Sequence, residues 1–540
     1  MDEAIQKDAG PWLAQYDFRT KQKYIFRTNK LKEIVGASAL ITCMYDLFIN
    51  DLASNGIQVE KNYSFPACNQ TGSWSYKINR FIDLKYENQK EPFDVVVDES
   101  NGKLNGKFDG KVLYVGGGNL YILWKDKQTA ITANRLLCKL LREKGYSLFP
   151  ACGLIHYTGK YDNDIRKLSD AFNRSKEELP PFMPMAVLPF TRVDRQTSFP
   201  VSRFETNADH AQEYLPEECW LKRKVNDERI IVTDAKDPLG VSELDEMTEK
   251  GTNSLLAVIH IDGNNMGERV SNTMSAHTNE PLQDYGAAAE KIRIFSNSIQ
   301  ENLVTKPLEA ISEWLKDHQK RARIIVAGGD DVTLVCSAKI AFELVSEYFD
   351  TLIKNNENKI KEGNMDIDTA CAGMCIFHSH SPFATAYEIA EECCDNAKKA
   401  NRRNGSKNML LDFQYCFSGV TGDLDSMREA DESLMGRPYS FWSENAPNLN
   451  TAEKLKYCAA ACRSIGRGNI KQLSALLLMD REQEFQLEIQ RLKTIVPGEK
   501  AKSFLDELKE EQARKYLFDI AQVFDLWFRE EVKPDELDQH

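Results

Sequence analysis

The chain has 540 residues, 42% of them hydrophobic, with 69 basic against 82 acidic side chains and a formal net charge of −13. At roughly 150 residues per domain, that length and apolar content fit three or four buried cores and exclude global disorder. An acidic chain does not coat nucleic acid unaided, because phosphate binding draws on basic surface. Thirteen cysteines without a CxxC pair make neither a disulfide scaffold nor a zinc framework. The opening MDEAIQKDAGPWLAQYDF lacks the basic and apolar regions of a secretion signal. No apolar run is read as reaching the ~20 residues of a membrane span, so a cytoplasmic protein with no membrane partner is expected.

In chain order, KYIFRTN at 23–29 reads as a first strand, and KVLYVGGGNLYILW (111–124) as strand, glycine turn, strand. A helical run, TAITANRLLCKLLREKG, leads to another strand, LFPACGLIHY, and then to the helix DIRKLSDAFNRSK. The same order of parts returns downstream. LLAVIHIDGN (255–264) precedes ARIIVAGGDDVTLVC (322–336), IAFELVSEYFDTLIKNN, TACAGMCIFH and ATAYEIAEECCDNAKKANRR. Strand, helix, hairpin, helix, strand is the ferredoxin-like order, and its recurrence indicates a duplication. Residues 166–250, rich in proline and charge, read as a connector. Beyond 420, amphipathic periods predict a C-terminal helical bundle. The expected fold is therefore α+β, with two tandem ferredoxin-like palm domains at 21–165 and 251–420. A segment at 1–20, a connector at 166–250 and a helical domain at 421–540 complete it.

Chemistry concentrates in the second unit. LLAVIHI delivers Asp262 to the end of a buried strand, and RIIVA leads into Gly328-Gly329-Asp330-Asp331. If these strands are neighbours, Asp262, Asp330 and Asp331 converge as oxygen ligands for Mg²⁺ or Mn²⁺, the arrangement that serves phosphoryl and nucleotidyl transfer. Gly328 and Gly329 let backbone N–H groups approach phosphate oxygens. GGDD by itself also suits an ordinary turn; the added Asp262 favours the metal reading. In the first unit the hairpin reads Gly116-Gly117-Gly118-Asn119, and the strand placed at 23–29 ends in Arg27-Thr28-Asn29 without a carboxylate, so the first palm is read as degenerate. Lys398 and Lys399, on the helix after the fourth strand, could face a triphosphate or simply complement the helix C-terminus. Cys371, Cys375, Cys393 and Cys394 read as core thiols, and His378 and His380 as loop residues.

IDGNNMG, AGGDDVTLV and AGMCIFHSHSPFATAYEIAEECCDNAKK resemble the second palm of the large polymerase–cyclase subunit of type III CRISPR effector complexes, Cmr type. KYIFRTNKLKEIVGASALI and VLYVGGGNLYILW resemble its degenerate first palm. Arg437-Pro438-Tyr439 and the helical C-terminus also fit. The resemblance implies an ATP-using nucleotidyltransferase, switched on by target RNA and making a nucleotide second messenger for antiviral defence. Asp262, Asp330 and Asp331 would be catalytic metal ligands. Gly263, Asn264, Asn265, Gly328, Gly329, Lys398 and Lys399 would line the nucleotide site, with Ser38 and Ser296 as further contacts. Other Cmr-type subunits, CRISPR RNA and target RNA are the implied partners.

The departures are informative. A first palm starting near residue 21 leaves no room for the HD nuclease domain of many members, so no single-stranded DNase activity is expected. Where members carry a cysteine zinc finger only Cys219 remains, so no zinc is expected. Asn264 replaces a frequent second aspartate. The product is a cyclic oligoadenylate or, as in some HD-less members, a conjugate of AMP with S-adenosylmethionine. Two other readings compete: a catalytically silent scaffold of an RNA-binding complex, and a stand-alone diguanylate cyclase.

Overall fold

The computed structural model describes residues 10–61, 108–116, 118–178, 190–206, 212–230, 238–241, 243–248, 254–275, 285–362, 367–404, 407–416, 422–444 and 449–528, with short strands at 63–64, 85–86, 97–98 and 103–104. The chain divides into two compact units, one made of 1–243, 265–305 and 324–330, the other of 244–264, 306–323 and 331–540.

In the first unit, β1 (Trp12–Arg19), α1 (Leu31–Ser54), β2 (Gly110–Gly116), β3 (Asn119–Trp124), α2 (Lys127–Lys144) and β4 (Phe149–His156) follow the β–α–β–β–α–β order. They form the sheet β2-β3-β1-β4, antiparallel throughout, with Val59–Glu60 added at the outer edge of β2. The sequence explains the local starts. Asp126 caps α2 by accepting from Thr129 N at 2.7 Å, and Arg142 and Lys144 complement the dipole in its last turn. Helix α3 (Tyr161–Glu178) then packs against β4. A hairpin of β5 (Val201–Thr206) and β6 (Gln212–Pro216) leads into α4 (Glu217–Ile230). Helix α4 is tied to α1 by buried charge, Arg223 pairing with Glu33 at 2.6 Å, while Lys222 pairs with Glu218 of its own helix at 2.7 Å. Helices α5 (Met266–Ser275) and α6 (Tyr285–Ile299) also belong to this unit.

Two expectations are corrected here. The first strand is Trp12–Arg19, within the segment set apart as 1–20, whereas the 23–29 stretch opens with a short helix, Lys21–Ile25. Polar Gln15 and Asp17 hide the strand's apolar pattern, while Tyr24, Ile25 and Phe26 are buried in succession around a helical turn. The connector contains a hairpin and α4, which proline and charge content obscured. Among the described residues, α1 is long and apolar enough by composition to cross a membrane, which the sequence reading did not anticipate; 72% of that window is buried in the protein, as in a core helix.

The plan is repeated by β7 (Leu255–Gly263), α7 (Lys306–Asp317), β8 (Ala322–Gly328), β9 (Asp331–Ser337), α8 (Ala341–Lys361), β10 (Ala370–His378) and α9 (Phe383–Arg403), all in the second unit except residues 324–328 of β8. Only Gly329 and Asp330 separate β8 from β9. Two further strands, β11 (Asn408–Tyr415) and β12 (Tyr439–Ser443), extend the order within this unit to β9-β7-β10-β11-β12. Strand β12 thus comes from a stretch read as purely helical. Five helices follow: α10 (Ala452–Ile465), α11 (Arg467–Leu478), α12 (Glu482–Ile495), α13 (Glu499–Glu507) and α14 (Glu511–Val523). Buried Asp519 of α14 accepts from Gly436 N (2.8 Å), Arg437 N (3.1 Å) and the Tyr439 hydroxyl (2.7 Å), fastening the bundle to the start of β12.

The duplication holds to the residue. On the central strand of each sheet, Gln15 and His260 face a glycine on the fourth strand, Gly153 and Gly373. In both cases a side chain would collide with the helix behind. A Cβ at Gly153 meets Leu168 O and Phe172 N at 2.9 Å, and one at Gly373 runs into Ala390 and Cys394, whose Cα lies 2.9 Å away. We predict that Gly373→Ala and Gly153→Ala each cost about 1–3 kcal/mol or more in urea unfolding, because backbone rather than a flexible side chain must give way. Gly468→Ala, with nothing within 4 Å of the added methyl on α11, should be neutral or stabilising.

Candidate metal and nucleotide site

Register decides what converges at the end of β7. Antiparallel pairing sets Asp262 directly opposite Asp331, the first residue of β9, and His260 opposite Thr333. Alternation along a strand puts His260 and Asp262 on the same face. Ligand atoms of His260, Asp262 and Asp331 all lie within 4.8 Å of one another, a group that could hold a cation. Two carboxylates suit a hard divalent ion, and a neutral imidazole is compatible with Mn²⁺. His260 is buried, with Nδ1 3.1 Å from Thr333 Oγ1 and its ring edge-on to Tyr387 at 5.6 Å. Burial pulls its pKa down to about 4, against an upward pull from Asp262, so the ring is neutral at pH 7.

Helix α9 lies over this end of the sheet because Gly373 admits it. It carries Tyr387 and Lys398, whose ammonium donates to Asp262 Oδ2. Burial lowers the Lys398 pKa, but the Asp262 charge and hydrogen bond outweigh that, and the net shift is upward. Lys399, the other expected lysine, is exposed on the same helix. Gly263 closes β7 opposite Ala370. Asn264 is buried, its Nδ2 donating to Thr369 Oγ1 (3.0 Å) and Asn408 O (2.9 Å). The amide therefore stitches β7 to the β11 side of the sheet.

The remaining expected residues belong to the other unit. Asn265 adopts left-handed φ 55° immediately before α5. Gly328 ends β8, Gly329 turns the chain at φ 69°, and its N–H donates to Gln300 Oε1 at 3.0 Å. Asp330 is the residue before Asp331 and is not one of the three grouped ligands. Ser38 lies on α1; Ser296, on α6, accepts from the Tyr114 hydroxyl at 3.1 Å. Cys219, Cys371, Cys375, Cys393 and Cys394 are buried free thiols, as their small apolar character suggests. Thr333 and Tyr387 were not singled out from sequence, and His260, which opens the motif His260-Ile261-Asp262-Gly263-Asn264-Asn265, was given no role there. The period-two position of His260 before Asp262 was the available signal.

The same register corrects the reading of the first unit. Asp17, not Arg27-Thr28-Asn29, stands where Asp262 stands, since each lies two residues beyond the residue that faces the glycine. The misplaced first strand concealed it. Asp17 also carries a lysine from the matching helix, Lys176 on α3, with Nζ 3.3 Å from Oδ2.

Mn²⁺ should stabilise the intact chain by about 2.7 kcal/mol at roughly 100 times its Kd. Asp262→Asn and Asp331→Asn should each abolish that thermal shift. Lys398→Met, which removes a competing cation from Asp262, should lower the Mn²⁺ concentration required.

A family model described as Cas10/Cmr2, second palm domain, matches residues 255–407. No curated protein matches by sequence. Solved structures of the Csm1-Csm4 cassette are similar in shape. The apo form has 13% identity and TM-score 0.47, covering 96% of this chain and 70% of the other. The complex with one ATP has 14% identity and TM-score 0.46, at 96% and 70% coverage. The complex with cA4 has 12% identity and TM-score 0.44, at 98% and 71%. Residues 255–407 of this chain are thus similar to the second palm domain of the Cas10/Cmr2 family.

Proposed function

We propose that this chain is the Cmr-type polymerase–cyclase subunit of a cytoplasmic type III CRISPR complex, and that it converts ATP into a nucleotide second messenger when target RNA is bound. The observation that carries the reading is the cross-strand pair Asp262–Asp331 in a segment that matches the Cas10/Cmr2 second palm. Turn propensity explains an aspartate in a loop. It does not explain two carboxylates facing each other across adjacent strands with a buried imidazole beside them, a convergence of donors that suits a divalent ion. A silent scaffold has no use for that donor set, and a stand-alone diguanylate cyclase has no use for a second palm of the same design.

The reaction is attack of a ribose hydroxyl on the α-phosphate of a second ATP, forming a P–O bond as pyrophosphate leaves. Asp262 and Asp331 would hold Mg²⁺ or Mn²⁺, with Asp330 beside them at the turn; the ion, when bound, polarises the phosphate and favours the attacking alkoxide. Lys398 holds Asp262 in one rotamer and supplies positive charge next to the polyphosphate. Neutral His260, anchored by Thr333, keeps the floor of the site uncharged apart from the ligands. Asn264 fixes the end of β7, and the glycines of the turn leave room for phosphate oxygens. Lys399, Asn265, Ser38 and Ser296 are assigned to the outer contacts with the nucleotides. CRISPR RNA, target RNA and the other Cmr-type subunits bind around this subunit, whose own net charge is −13.

The assembled complex, given target RNA, Mn²⁺ and labelled ATP, should release pyrophosphate and an adenylate product. Asp331→Ala should reduce the rate roughly 10²–10³-fold or more; undiminished product from that variant would refute the assignment. Mass spectrometry with and without S-adenosylmethionine separates the two products: dependence on it identifies the conjugate, and independence identifies oligoadenylate.

A further inference from the structure

The two palms differ at one cation. In the first, Lys21 Nζ lies 2.8 Å from Asp17 Oδ1 while Lys176 Nζ lies 3.3 Å from Oδ2, so both carboxylate oxygens already face ammonium groups. Lys176 corresponds to Lys398: counting from the residues that press on Gly153 and Gly373, each lies four beyond Phe172 or Cys394. Lys21 has no such counterpart. It opens the short helix after β1, following Thr20 at φ 52°, just as Met266 opens α5 following Asn265 at φ 55°. A charged residue in the first palm thus stands where the second has a thioether.

The turn differs as well. Asn119 opens its strand as Asp331 does, and Gly118 precedes it as Asp330 precedes Asp331. Gly118 takes a left-handed φ of 77°, which by itself calls for glycine, and a Cβ there would also meet Lys21 Nζ and lie 3.7 Å from Asp17 Oδ1. Asn119 is neutral and accepts from Gln15 Nε2 at 3.1 Å, its bond reaching toward the position that His260 holds in the second palm. Asp17 is largely buried, with a side chain 9% exposed, and two lysines more than balance it. A divalent ion there would have to displace an ammonium and accept one carboxylate where two are usual.

We propose that Lys21 is a built-in cation that replaces a divalent metal in the first palm, excluding Mg²⁺ and Mn²⁺ from Asp17 and confining metal chemistry to Asp262 and Asp331. The exclusion of metal stands on the first unit alone; the confinement rests on the functional reading above.

The test counts bound Mn²⁺ by electron paramagnetic resonance on the full chain. In an Asp262→Asn/Asp331→Asn background the protein should bind none beyond its general surface. Adding Lys21→Met/Gly118→Asp/Asn119→Asp, which gives the first palm the second palm's residues, should create roughly one site per chain. Retaining a cation, as in Lys21→Arg/Gly118→Asp/Asn119→Asp, should weaken that uptake at least tenfold. Should the altered turn fail to fold by circular dichroism, Lys21→Met alone should still raise Mn²⁺ uptake at Asp17 about tenfold. A folded triple variant without the new site would overturn the proposal, as would background binding that Asp17→Asn removes. If instead Asp262→Asn/Asp331→Asn removes no Mn²⁺ from the wild-type count, the reading of the second palm fails and the role of Lys21 is untouched.

Discussion

The missing side chain at Gly373 is the constraint on which the second palm depends. Only a residue without Cβ lets α9 rest its backbone on β10, and that close approach brings Tyr387 against His260 and Lys398 against Asp262. With a methyl group in between, the helix would stand off, and the carboxylate would lose its one fixed cationic neighbour. Gly153 does the same beneath α3, and the consequence there is the Asp17–Lys176 pair. A packing requirement written into the duplicated strand thus produces the same electrostatic pair twice.

What separates the two palms is then a small set of side chains laid on a common frame. The second keeps carboxylates on both strands, Lys398 on Asp262 and a neutral imidazole beside them, a donor set that suits a divalent ion. The first has one carboxylate, an asparagine opposite and two lysines, so its charge is settled internally. Buried or half-buried charges are costly unless paired. The first palm sets two lysines against one carboxylate, and the second sets one lysine, Lys398, against the facing pair Asp262 and Asp331. Elsewhere the protein follows the first solution, as in the Arg223–Glu33 and Arg437–Asp519 contacts that hold α4 and the C-terminal bundle in place.

Much of this was legible in the sequence. The glycine turns, the amphipathic helices and the apolar runs before Asp262 and GGDD carry strong local patterns, and they recur in the same order. Gly153 and Gly373 were visible as recurrent positions before their packing role was known. Misreading arose where pattern and burial part company. Strand β1 carries Gln15 and Asp17 in its middle, the first bonded to Asn119 and the second paired with Lys21 and Lys176, and these polar residues mask its period. The KYIF stretch looks like a strand because three apolar residues in a row are buried, which a tight helical turn achieves equally well. The error at β1 propagated, since a strand placed too late cannot reveal Asp17. Which lysine of the 398–399 pair reaches the carboxylate is a matter of helix phase against the sheet, and composition carries no information about that.

The central claim is that Asp262 and Asp331, brought face to face by the register of β7 and β9, form the divalent-metal site that serves ATP. Diffraction from crystals grown with Mn²⁺ and a non-hydrolysable ATP analogue, using the anomalous signal of manganese, tests it most directly. The account predicts a manganese peak within about 2.0–2.3 Å of carboxylate oxygens from both residues, with analogue phosphate oxygens completing its shell. Nucleotide bound without manganese at those two carboxylates, or manganese seated only elsewhere in the protein, would contradict it.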